Sequence, residues 1–402
     1  MLSQFSFSNF RSYKTDTTFD FQAEAIPEFE ESLITDEKTT PLLPVSAIYG
    51  PNGGGKTNLL RALSCLISTV VKPIYDLDKN RNNLVIQDVI ESEPFLFDSE
   101  SSKNPTEFEV YFRTEGKEYR YYIAIKDSEI VSEYLYWRAL GGKRTGTVFT
   151  REGSNIELGP AIKKNGINRQ VNPKMPYLSF LAINYDLEPI VPVQRWFESC
   201  ISHSYDDPEL DRRIMMIDDS ETKKLIIRAL NDLGIDISDY RYIKEEKKFY
   251  TERIINGEKY SLSFDAESDG TKKLLSTLPM LIVALKEGRL VIIDELDSKL
   301  HPKLLRYIIS LFKNKELNRN GAQLLFTSHD MTTMRNTVFR RDEIWFAATD
   351  MKHESQIYSL YDIRNADDSH INNKSAYDKQ YLEGRYGADP YLENMLNGGS
   401  FV

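Results

Sequence analysis

Cysteine is almost missing from this chain. Cys65 and Cys200 are the two in 402 residues, and they lie far apart, outside any C-x-x-C or Cys/His cluster. Neither a disulfide framework nor a zinc site is therefore expected, and a reducing cytosol fits. No run of about 18 uninterrupted apolar residues occurs, and the start Met1-Leu2-Ser3-Gln4-Phe5 lacks the basic and apolar regions of a signal peptide. The expectation is a cytoplasmic protein without a membrane partner. Basic residues are outnumbered: 51 Lys and Arg against 61 Asp and Glu leave a formal charge of -10. That balance argues against wholesale coating of nucleic acid, because phosphate contacts need clustered Lys and Arg; a local basic groove across an oligomer stays open. No internal repeat or low-complexity tract is visible. Tyrosine and phenylalanine are numerous, yet they alternate as strand residues do, which points to sheet packing rather than base stacking.

A chain this long can bury a large core in two or more folding units, or in one domain with a substantial insertion. Residues 1–21 alternate apolar and polar side chains, predicting two strands around Asn9-Phe10-Arg11-Ser12-Tyr13. An acidic loop over 24–31 follows. Val45-Ser46-Ala47-Ile48-Tyr49 is a short buried strand, and after a glycine-rich loop Leu59, Leu60, Leu63, Leu66, Ile67 and Val70 recur at helical spacing. Residues 107–137 alternate strongly around a Glu115-Gly116-Lys117 turn, predicting an antiparallel lobe. Helical patterns fill 185–232, and Asn256-Gly257 marks a second hairpin. The last third alternates helix and strand: helix 274–285, strand 290–293, helix 302–312, strand 323–327. The reading is an α/β fold, an ABC-type P-loop NTPase head with a mostly parallel sheet plus an antiparallel β lobe and a helical insertion. The head is split: 1–80 and 264–402 enclose an insertion, 81–263, with the β lobe and a helical arm.

Gly50-Pro51-Asn52-Gly53-Gly54-Gly55-Lys56-Thr57 satisfies G-x-x-x-x-G-K-[ST] between a strand and a helix, the context that motif requires. Glycines let backbone N–H groups wrap phosphates, Lys56 reaches the β and γ oxygens, and Thr57 offers its hydroxyl to Mg²⁺. The expected ligand is Mg-ATP, held by Asn52, Gly53, Gly54, Gly55, Lys56, Thr57 and Asn58, with Arg11 as a further contact. Leu290-Val291-Ile292-Ile293-Asp294-Glu295 ends an apolar strand on two carboxylates, as a Walker B motif does: Asp294 for Mg²⁺, Glu295 to polarise the attacking water. His329, one strand further on, suits a switch histidine for the γ-phosphate. The catalytic set is thus Glu295, His329 and Lys56. Ser268-Asp269-Gly270 opens the helix before Walker B where an ABC signature stands; Ser268 and Gly270 would face nucleotide held by a second protomer, with Asp297 as the D-loop acid.

Together these elements resemble the ABC ATPases of the SMC, RecF and OLD-nuclease kind, whose N-F-[RK]-S motif is matched by Asn9-Phe10-Arg11-Ser12. Leu300-His301-Pro302 after Walker B is also typical of that group. A narrower likeness links Arg340-Arg341-Asp342-Glu343-Ile344-Trp345-Phe346, Gly384-Arg385-Tyr386-Gly387-Ala388-Asp389-Pro390 and Pro105-Thr106-Glu107-Phe108 to ATPases of bacterial antiphage, abortive-infection operons: the RloA, AbiL and AriA (PARIS) kinds. Glu343 stands where their pattern has Gln, and Gln87 is the one candidate for a Q-loop. The resemblance implies a slow, assembly-dependent ATPase working as an ATP-sandwiched dimer or higher homo-oligomer. It would sense infection, through a nucleic acid or phage protein trigger, and control a toxic effector from a neighbouring gene. About seventy residues follow His329 and show no acidic metal cluster, so killing is expected from that effector. The alternative is a DNA-repair or recombination ATPase of the SMC/RecF kind that clamps DNA.

Overall fold

The computed structural model describes residues 1–77, 91–163, 165–203, 220–243, 246, 248–365 and 367–388. Two large sheets and the helices between and beside them form its body. The first sheet has six strands in the order Ile201–His203, Leu290–Ile293, Gln323–Thr327, Val45–Tyr49, Ile344–Thr349, Ser355–Ser359. All pairs are parallel except the last. Strands Val45–Tyr49, Leu290–Ile293 and Gln323–Thr327 are buried along their whole length, as their mainly apolar runs demand of strands covered on both faces. The pleat then divides them. Ile48, Ile292 and Leu325 point to one core, which also holds helix Lys56–Leu77. Val45, Ala47, Val291, Ile293, Leu324 and Phe326 point to the other, with helices Asp269–Glu287 and Pro302–Lys313.

The second sheet is antiparallel, with seven strands in the order Asn155–Leu158, Gly146–Glu152, Glu129–Ala139, Lys117–Lys126, Thr106–Thr114, Leu2–Ser8, Thr17–Asp20. Its inner face, including Phe5, Phe7, Val110, Tyr121 and Phe149, packs on the same core as helix Lys56–Leu77. Sheet membership therefore crosses residue 81: the first two strands of the chain belong with the antiparallel lobe, while Ile201–His203 joins the parallel sheet. Gln323 ties the two sheets. Fully buried, its Oε1 accepts from Leu2 N at 2.6 Å and its Nε2 donates to Leu2 O and Leu43 O at 2.9 and 3.2 Å. A third core lies between helix Ser220–Asp232, a three-stranded sheet made of Asp239–Ile243, Lys248–Ile255 and Glu258–Ser263, and helix Asp269–Glu287.

The Arg-Arg-Asp-Glu stretch serves the fold. Arg340 is wholly buried and pairs with Asp342 through Nε and Nη2, at 2.9 and 2.8 Å. Its other donors reach the carbonyls of Glu24, Ile26 and Glu28. Glu343 accepts from Arg340 N at 2.8 Å and from Lys313 Nζ at 2.6 Å. Burial pushes the Glu343 carboxyl upward, and the Lys313 ammonium opposes that shift. Arg340→Met removes one partner of a buried pair and is expected to cost about 3–5 kcal/mol of stability. Thermal unfolding would show it, and an unchanged melting temperature would contradict the assignment. Tyr386 packs on Phe346, ring centroids 5.3 Å apart, and its carbonyl accepts from Tyr358 at 2.5 Å. Asp389 and Pro390 lie outside the described residues.

Candidate functional site

Strand Val45–Tyr49 delivers the chain to Gly50, whose φ is 146° and where a Cβ would stand 2.1 Å from the Ala347 carbonyl oxygen. Only glycine fits there. At Gly55, φ 103°, a Cβ would meet Ser355 Oγ at 2.5 Å and the Tyr13 hydroxyl at 3.0 Å. The loop between is thus pressed against neighbouring backbone and turned so that it enters helix Lys56–Leu77, whose first-turn N–H groups and dipole favour an anion. Lys56 is 6% exposed, and its ammonium donates to Gly50 O at 2.8 Å and Pro51 O at 3.0 Å. Burial lowers its pKa, while the carboxylates of Asp294, Glu295 and Asp297 work against that shift.

The opposite wall comes from the ends of two parallel strands. Thr327 at the end of Gln323–Thr327 donates its hydroxyl to Asp294 Oδ1 at 2.5 Å and accepts from Glu295 N at 2.7 Å. Glu295 itself sits in the left-handed region, φ 49°. Its carboxylate is 58% exposed, with Oε1 4.0 Å from His329 Nε2. Asp297 Oδ2 accepts from the His329 backbone N–H at 3.1 Å. A cleft of about 330 Å³ is lined by Asn52, Gly53, Gly54, Gly55, Lys56, Thr57, Asn58, Asp294, Glu295 and His329. Arg61 also lines it. The sequence reading missed Arg61, although it stands one helical turn beyond Thr57 and so on the same face.

Four expected nucleotide contacts, Arg11, Ser268, Gly270 and Asp297, are not among the residues lining this cleft. Arg11 is not among the residues lining the cleft: at φ 51° its backbone N–H donates to Glu93 O at 2.8 Å, and its Nε lies 3.3 Å from Glu93 Oε2. Its neighbours instead brace the loop. Tyr13 donates to Gly55 O at 3.2 Å, and Ser12 Oγ accepts from Asn58 Nδ2 and Ser355 Oγ, both at 2.8 Å. Asn9 accepts from Phe95 N and donates to the carbonyls of Ser101, Asn104 and Pro105. Ser268 and Gly270 do not line the cleft either. Ser268 caps helix Asp269–Glu287, its Oγ accepting from Thr271 N at 3.2 Å. Gln87 lies outside the described residues.

The donor set fits a magnesium nucleoside triphosphate. A glycine cradle, a helix N-terminus and a buried ammonium suit the phosphates; Thr57 and Asp294 suit a hard cation that keeps waters and takes further oxygens from the phosphates. Among the described residues no group of three or more His, Cys, Asp or Glu could hold a metal ion by itself. No described helix is long and apolar enough to cross a membrane.

Residues 45–335 match the family described as "AAA domain, putative AbiEii toxin, Type IV TA system". Among solved structures, the SMC head domain from Thermotoga maritima is similar at 15% identity, covering 89% of this chain and 98% of that one, with a TM-score of 0.45. The Smc head domain with coiled coil and joint derived from Pyrococcus yayanosii is similar at 11% identity, covering 96% and 99%, with a TM-score of 0.46. No curated protein matches. The family match spans well over half the chain and takes in the phosphate loop, Asp294, Glu295 and His329, so the protein belongs to this AAA-domain family of AbiEii type.

Proposed function

We propose that the protein binds and slowly hydrolyses Mg-ATP and acts as the nucleotide-dependent sensor or scaffold of a two-component antiphage system, controlling a separate toxic effector. The observation that carries this reading is the convergence of Lys56, Thr57, Asp294, Glu295 and His329, from the ends of three neighbouring strands, on one cleft. Lys56 would bind the β and γ oxygens, Glu295 would polarise the attacking water, and His329 would hydrogen-bond the γ-phosphate. Bound Mg²⁺, held by Thr57 and Asp294, would neutralise phosphate charge. With Ser268 and Gly270 away from this cleft, a second copy of the chain would supply them, which makes turnover depend on assembly. The antiphage role rests on the AbiEii-type family and on the likeness of the tail to the RloA, AbiL and AriA kinds of ATPase.

Size measurement and affinity capture with the neighbouring gene's product test the reading. With Mg-ATP the chain is expected to form a dimer or higher assembly and to retain that product. A chain that stays monomeric with ATP and retains nothing would contradict it. Hydrolysis stimulated by DNA and lost as salt rises would favour a DNA clamp instead.

A further inference from the structure

Lys273 has no part in the expected site, yet it is the side chain through which the signature helix grips the turn that carries Glu295. It is 6% exposed and lies one turn into helix Asp269–Glu287. Its ammonium donates to Glu295 O at 3.1 Å and to Ser298 O. Those carbonyls belong to a strained stretch: Glu295 and Lys299 both have positive φ, 49° and 60°, a region that non-glycine residues occupy only when surrounding contacts hold them there. Thr327 fixes the N–H side of Glu295 at 2.7 Å, and Ser298 N donates to Glu295 O at 3.0 Å. Lys273 supplies a hold from a different element.

That element begins at Ser268 and Gly270. The rise of a helix puts Lys273 about 4.5 Å along the axis from Gly270, and an ideal Cβ on Gly270 would lie 3.5 Å from Lys299 O, so the helix start lies close to the end of the turn. An exposed pair, Lys299 Nζ to Asp269 Oδ2 at 3.3 Å, adds a weaker tie between the same two segments. Lys273 and this pair thus link the start of the helix to the turn that carries Glu295.

We propose that Lys273 is a positioning residue: it sets the Glu295 turn from the signature helix, so that seating Ser268 and Gly270 on a second protomer's nucleotide aligns this protomer's own Glu295. The coupling runs within one chain and rests on the composite-site reading above. It gives a physical route by which assembly would raise turnover, since a shift of the seated helix would pass through Lys273 to the Glu295 turn.

Lys273→Met keeps the aliphatic stem and helix propensity and removes the donor; Lys273→Arg restores charge and donors. The Met variant is expected to bind ATP within about threefold of wild type and to assemble with it, while kcat falls roughly 10- to 100-fold, the pattern of a group that acts on the reacting geometry rather than on binding. Lys273→Arg is expected to recover much of kcat. A purely structural lysine would instead lose ATP affinity, melting temperature and kcat together. Should the Met variant not fold, Lys273→Gln, which puts a neutral donor in place of the charge, carries the same readouts. Wild-type kcat in a folded Met variant, or parallel loss of binding and kcat without rescue by Arg, overturns the proposal. If wild-type turnover per chain does not rise with protein concentration, the composite site itself fails and this role falls with it. If wild type shows that rise and the Met variant keeps both rate and rise, only the role of Lys273 fails.

Discussion

Glu295→Gln is expected to bind ATP as wild type does, to lose turnover by about 100- to 10,000-fold, and to accumulate an ATP-bound assembly. The side chain lies in the turn just past strand Leu290–Ile293, is 58% exposed, and has His329 as its neighbour on the same wall at 4.0 Å, so the amide can replace the carboxylate without leaving a buried charge unpaired. Its backbone N–H stays bonded to Thr327 and its φ is unchanged in requirement. What disappears is the negative oxygen that would accept the water's proton as phosphorus is attacked. Lys56, Thr57 and Asp294 remain, so binding and assembly should persist while hydrolysis stops. Phosphate release measured beside size in Mg-ATP separates the two. Equal hydrolysis by wild type and variant would remove Glu295 from the chemistry and leave a module that merely holds nucleotide.

Much of this was legible in the residues because local patterning and tertiary demand agree. The mainly apolar run Val45–Tyr49 is buried on both faces, and the Asn256-Gly257 pair does adopt the positive φ values, 53° and 86°, that a tight hairpin needs. Helix Asp269–Glu287 starts five residues before its apolar periodicity, because its first turn faces outward and is specified by the Ser268 cap instead. Strand Ile201–His203 is too short to leave a pattern and is defined by its parallel partner Leu290–Ile293. Arg11 shows a different limit. The Asn9 to Tyr13 segment does reach the phosphate loop, but through Ser12 and Tyr13, while the charge of Arg11 goes to Glu93, which is distant in sequence and carries no motif. Likewise Arg340 and Glu343 lie in the stretch whose likeness to antiphage ATPases is read from the sequence, yet their bonds are to Asp342, Lys313 and the carbonyls of 24–28, and Lys313 supplies the cation that the buried Glu343 requires.

The central claim is that each nucleotide is enclosed by Lys56 of one protomer and Ser268 of another, and complementation between two inactive variants tests it most directly. Lys56→Ala empties the phosphate loop of its ammonium. Ser268→Asp keeps an efficient helix cap but sets a negative charge against the partner's triphosphate, so the helix stays folded while the composite site is repelled. Each variant alone is expected to lose turnover by at least about 10-fold, in line with loss of a charge-assisted contact to phosphate. Mixed in equal amounts, half of the dimers pair one chain of each kind, and each such pair rebuilds one intact site from the Lys56 of one and the Ser268 of the other. Turnover of the mixture should therefore rise to roughly a quarter of wild type. A mixture that stays at the average of its two parents, with ATP binding by the Ser268→Asp chain intact, would show that each chain completes its own site and would contradict the account.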